Sequence, residues 1–141
     1  MSVLALDVGE RRIGVAVSDP TESFSLPLDV IERTELRADI ERVLAFARER
    51  AVEVIVIGDP IRLAGNRGQS SARIDRFVER LAMEWEGRIE RVDERLTTAQ
   101  ATRSLISADV SRKRRKAVVD KLAAALILDL YLARRNSRGG T

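Results

Sequence analysis

The chain has 141 residues, 25 basic and 22 acidic, and neither cysteine nor histidine. That composition excludes a disulfide framework, a thiol nucleophile, an imidazole base and a zinc site of the usual Cys/His kind. Any metal held by side chains must sit on carboxylates, which suit Mg²⁺, Mn²⁺ or Ca²⁺.

In chain order, Val3–Val8 reads as a strand apolar on both faces. Arg12–Ser18 follows after a short link through Gly9, which predicts an antiparallel hairpin. Leu26–Ile31 is a third strand. Leu36, Ile40, Val43, Leu44 and Ala47 have helical spacing and predict a helix over 35–50, with Thr34 as its N-cap. Val52–Ile57 is a buried parallel strand, and a loop from Asp59 to Gly68 follows. A second helix runs from Ser70 to Trp85 and a fifth strand from Arg88 to Val92. A third helix, capped by Thr97 or Thr98, ends near Ala108. After the run Arg112-Lys113-Arg114-Arg115-Lys116 comes a last helix from Ala117 to Arg135. Trp85 and Tyr131 have helical spacing with apolar neighbours and read as core. The order predicts one α/β domain over 1–135. Its five-stranded mixed sheet has strands 1–3 antiparallel and strands 4–5 parallel, flanked by helices, and residues 136–141 form a flexible basic tail.

Charge is unevenly spread. Residues 110–141 carry nine basic and two acidic side chains, against 16 and 20 in residues 1–109. A basic last third points to a polyanion, most simply nucleic acid; the alternative is a solubilising tail. No apolar stretch spans a membrane and no signal-peptide pattern opens the chain, so a soluble, cytoplasmic protein is expected. Aromatics are only 4% of the residues, which disfavours a base-stacking platform and points to backbone and shape recognition.

Three acids stand where acids are costly. Asp7 ends an apolar strand, where an ionised carboxylate needs a cation or several donors; it could equally cap the turn at Gly9. Glu94 follows the fifth strand, where open α/β sheets place their sites, although loop and cap residues stand there too. Asp120 shares a helix face with Lys116, Ala117, Ala123 and Ala124, a small-residue face that allows close approach to the sheet; a helix-start acid favoured by the macrodipole is the alternative. If the three converge they can hold two hard cations, which activate water and stabilise a leaving oxygen without histidine. The basic run would then contact phosphates.

The run Asp7-Val8-Gly9-Glu10-Arg11-Arg12-Ile13-Gly14-Val15-Ala16, the segment Asp93-Glu94-Arg95-Leu96-Thr97-Thr98 and the segment Lys116-Ala117-Val118-Val119-Asp120-Lys121-Leu122-Ala123-Ala124 resemble, in order, the motifs of the YqgF family, also called RuvX. The likeness covers nearly the whole chain. It implies a ribonuclease H-like fold with Asp7, Glu94 and Asp120 as catalytic and metal-binding triad, served by Mg²⁺ or Mn²⁺ in a two-metal site. It implies a nuclease that matures the 5′ end of pre-16S rRNA, or one that resolves four-way DNA junctions. A resolvase would need a symmetric pair of sites, whereas a processing nuclease could act as a monomer. The sequence departs from the family at Gly58-Asp59-Pro60, where Gly-Leu-Pro is usual. Asp59 reads as a solvated turn residue or an auxiliary metal ligand.

Arg11 and Arg12 follow the first motif and Arg95 adjoins Glu94. With Arg112, Lys113, Arg114, Arg115 and Lys116 they are the candidate nucleic-acid contacts, although a turn arginine can also be merely solvated. The competing reading is a non-catalytic RNA- or ribosome-binding factor that keeps the fold. A third is a phosphate-loop ATPase, since Asp7-Val8-Gly9 before Gly14 also resembles the actin-like kinases, but that fold needs two such domains around the nucleotide.

Overall fold

The computed structural model describes residues 2–59, 69–93 and 112–139. The elements are β1 (Ser2–Val8), β2 (Arg12–Ser18), β3 (Ser25–Glu32), α1 (Leu36–Glu49), β4 (Val52–Asp59), α2 (Gln69–Glu84), β5 (Arg88–Asp93) and a last helix, here α3 (Arg112–Gly139). The helix expected between Thr97 and Ala108 lies outside the described residues. The five strands form one sheet in the order β3-β2-β1-β4-β5. Strands β1–β3 pair antiparallel, and β4 and β5 join parallel to β1. This is the mixed sheet that the alternation of patterns predicts.

Alternation along the strands divides the interior into two apolar layers. Leu4, Leu6 and Val8 of β1, with Ile55 and Ile57 of β4, meet Ile40, Val43 and Leu44 of α1 and Ile74, Phe77 and Leu81 of α2. Val3 and Ala5, with Val54, Val56 and Val92, meet Ala124, Ile127, Leu128 and Leu132 of α3 on the other face. Trp85 is buried in the first layer and its indole N–H donates to the Arg88 carbonyl at 3.2 Å. Tyr131 is partly buried against the second.

Two helix boundaries depart from expectation, each for a local reason. The N-cap of α1 is Glu35, whose side chain makes no capping bond. From inside the helix, Asp39 reaches back to the residues before it, its carboxylate accepting from the Thr34 N–H at 3.1 Å and from Arg33 Nε at 3.1 Å. Helix α3 starts at Arg112 rather than Ala117 and runs past Arg135 to Gly139. Lysine and arginine are good helix formers, so the basic run continues the helix instead of preceding it as a separate segment.

Candidate active site

Asp7 has the same strand parity as Val3 and Ala5, so it belongs to the sheet face that α3 covers. It is half-buried, and its partner across the hairpin is Gly14. The place opposite this carboxylate therefore holds no side chain. Gly9 closes the turn that follows: its N–H donates to the Arg12 carbonyl at 2.9 Å, and a Cβ there would stand 2.8 Å from that same oxygen. Only glycine lets the turn close this tightly directly after Asp7.

The position of Asp120 follows from how α3 is anchored. Asp129 accepts from the Ser25 N–H at 3.2 Å, and Arg135 pairs with Glu22 at 3.1 Å. Ser25 is the register partner of Ser18, and Ser18 Oγ accepts from the Val3 N–H at 2.9 Å. The carboxyl half of α3 therefore lies at the end of the sheet where β1 begins, and the helix runs antiparallel to β1. From Asp129 back to Asp120 a helix rises about 13 Å, and from Val3 to Asp7 a strand rises about 13 Å. Residue 120 lies on the same helix, nine residues before the Asp129 anchor. Position 120 also precedes the buried Ala124 by four residues and Ile127 by seven, the spacing of one helix face.

Glu94 and Arg95 lie outside the described residues. The last described residue of β5 is Asp93, in register with Asp59. Val92, two residues before Glu94, belongs to the α3 layer. Arg12 has the parity of Gly14 and Ala16, so it shares the face of Asp7, whereas Arg11 is exposed in the turn. Arg112 to Lys116 form the first turns of α3, on the amino-terminal side of residue 120.

Asp59 is neither a solvated turn residue nor a ligand beside Asp7. It is the last residue of β4 and is 5% exposed. Its parity is that of Ile55 and Ile57, which puts it on the α1–α2 face, opposite to Asp7. There Arg91 Nη2 of β5 stands 2.8 Å from it, and Arg91 Nη1 stands 2.9 Å from Asp75 of α2. A buried carboxylate needs a compensating cation, and Arg91 supplies one. Reading the chain residue by residue misses this triad, because its members are scattered over three elements. The signal present is strand parity, which already sets Asp59 and Arg91 on one face.

Among the described residues no group of three or more acids is assembled for a metal. The fit is therefore judged on Asp7 and on the donor chemistry. A half-buried carboxylate beside a glycine, at the end of an apolar strand and in a chain without imidazole or thiol, suits a hard divalent cation. No described helix is long and apolar enough to cross a membrane.

The description "RuvX: Holliday junction resolvase" matches residues 1–134 of the chain. A protein of Desulforudis audaxviator named "Putative pre-16S rRNA nuclease" is 41% identical over 141 residues, the whole of both chains. One of the same name from Natranaerobius thermophilus is 43% identical over 135 residues, 96% of each. Among solved structures, RuvC of T. thermophilus bound to a Holliday junction substrate superposes with a TM-score of 0.60 at 17% identity, covering 100% of this chain and 97% of that one. The fowlpox virus resolvase with its junction DNA gives 0.53 at 10% identity, covering 95% and 98%. These two likenesses concern the fold, which is the ribonuclease H-like mixed sheet flanked by helices that the sequence resemblance implies. On the match over residues 1–134 and relatives above 40% identity along nearly the full length, the chain belongs to the RuvX family.

Proposed function

We propose that the protein is a divalent-metal-dependent nuclease that matures the 5′ end of precursor 16S rRNA, with Asp7, Glu94 and Asp120 as its catalytic carboxylates. The observation that carries this reading is the meeting of β1 and α3. Asp7 ends the first strand on the sheet face that α3 covers, and position 120 belongs to that helix. The name carried by the relatives supplies the substrate. A cytoplasmic site of action goes with that substrate.

Asp7, Glu94 and Asp120 would hold Mg²⁺ or Mn²⁺. Bound there, a pair of such ions supplies an acidified water and charge stabilisation at the departing oxygen. The chain's own contribution is to bind and orient. The apolar layer of Val3, Ala5, Ala124 and Ile127 lies on the sheet face of Asp7 and strengthens the hold of that carboxylate on a cation. Arg12 shares this face and takes a phosphate oxygen next to the cleaved bond. Arg95, Arg11 and the run Arg112–Lys116 contact the backbone further along the strand, without reading bases.

The test is cleavage of a precursor rRNA 5′ segment and of a four-way DNA junction at one salt concentration, with Mg²⁺ or Mn²⁺. Asp7→Asn and Asp120→Asn serve as controls that remove charge and keep shape. The wild type is expected to cleave the RNA, with each variant at least 100-fold slower. Wild-type rates no higher than those of the variants would leave only a nucleic-acid-binding factor. Preference for the junction would favour the second reading, a DNA resolvase, which the family description itself suggests.

A further inference from the structure

A second cleft, of about 520 Å³, opens on the α1–α2 side of the β1–β2 turn. Arg11 comes to it from the turn, Arg33 from the residues before α1, and Arg73 and Arg76 from α2. Four guanidinium groups around one space repel one another unless anions lie between them. Arg33 is the one accounted for. Its Nε donates to the buried Asp39 at 3.1 Å, its Nη1 donates to the Gly9 carbonyl at 2.9 Å, and its Cζ lies 5.9 Å from the Phe77 ring centre. These contacts fix the guanidinium through Nε and Nη1.

Arg11, Arg73 and Arg76 have no ion-pair partner among the described residues. Their neighbours do: on the same helix Arg80 pairs with Glu84 at 3.2 Å, and Asp75 pairs with Arg91 at 2.9 Å. Arg73 and Arg76 stand at i and i+3, so one face of α2 brings both cations to the cleft. Glu10 and Glu32 also line it, which leaves the arginines in excess by one once Asp39 is counted with Arg33. The cleft is lined by Arg11, four residues after Asp7, so whatever it holds lies close to the end of β1.

We infer that Arg11, Arg73 and Arg76, with Arg33 held by Asp39, form a subsite for the phosphate backbone of a nucleic acid, on the sheet face opposite to α3. This extends the proposed nuclease reading: a strand crossing the carboxyl end of the sheet would be gripped on both sides of the cleavage site. The backbone of RNA and of DNA offers the same phosphate chemistry, and the test separates them.

Binding is measured by fluorescence anisotropy on matched RNA and DNA oligonucleotides of about 20 nucleotides, in EDTA, over a range of salt. The full-length wild type is compared with R73Q/R76Q and, separately, with R11Q. Without divalent metal nothing is cleaved, so the result stands whether or not the protein is a nuclease. The double variant is expected to bind about tenfold more weakly near 0.1 M salt, with a slope of log K against log salt shallower by roughly 1.4–1.8. R11Q should lose about half as much. A larger loss on RNA than on DNA assigns the subsite to RNA, and the reverse assigns it to DNA. An unchanged slope and affinity for R73Q/R76Q, with an unchanged melting temperature as proof of folding, overturns the proposal. So does a loss of affinity without any change in salt slope, because that is not the signature of phosphate contacts.

Discussion

Asp19 gathers four donors onto one carboxylate: the N–H groups of Thr21, Ser23 and Phe24, at 3.0, 2.7 and 2.8 Å, and the Thr21 hydroxyl. Burial alone would raise its pKa, but the bonds from Phe24, Thr21 and Ser23 outweigh it and bring the value from 3.8 to about 2. A carboxyl with a lowered folded-state pKa adds stability above its unfolded pKa and loses it as pH falls through the folded one. Asp19→Asn should therefore melt at a lower temperature than wild type at pH 7. The gap should narrow between about pH 4 and pH 2, as thermal melts over that range would show. A constant gap would assign the loss to geometry rather than to charge. Asp7 stands in a different setting. It ends an apolar strand opposite a glycine, where its ionised form is best compensated by a cation.

Among the elements, β4, β5 and α2 are tied together by Asp59, Arg91 and Asp75. Asp59→Ala would leave Arg91 with one carboxylate in place of two. The expected cost is roughly 1–3 kcal/mol, below the usual range for a broken buried pair because Arg91 is partly exposed. Urea unfolding measures it, and Asp59→Leu tests whether apolar filling offsets the lost pair. Helix α3 is held to the sheet mainly by Ile127, Leu128 and Leu132, all essentially inaccessible to water. Leu128→Ala should cost about 2–5 kcal/mol. It should also slow cleavage at temperatures where the protein is still folded, since it loosens the element that carries Asp120. Full activity in the folded variant would mean that the helix does not position that acid.

Over the whole molecule the charge pattern decides how substrate is met. Residues 1–109 are net acidic and residues 110–141 net basic. The run Arg112–Lys116 forms the first turns of α3. Replacing all five by glutamine should weaken binding to every nucleic acid tested and flatten the salt dependence by roughly 3.5–4.5 in log–log slope. A slope equal to wild type would show the run to be a bystander. Combined with R73Q/R76Q, the losses in slope should add, since the two groups of cations stand on different helices.

Alternation and helical spacing in the chain were enough to determine the mixed sheet, the two faces of its central strands, and the apolar stripe of α1. These follow from local periodicity, which each segment carries by itself. The acids at 7, 94 and 120 were legible as costly placements, and the order of three motifs determined the family. The sequence could not show that Asp59 and Asp75 meet on Arg91, nor that the Asp39 carboxylate reaches back to Arg33 and Thr34. It could not show that Arg33, Arg73 and Arg76 share a cleft with Arg11. Each of these depends on which strand lies beside which and on where a helix crosses the sheet. Such distances join residues far apart in the chain, and only packing of the whole molecule decides them.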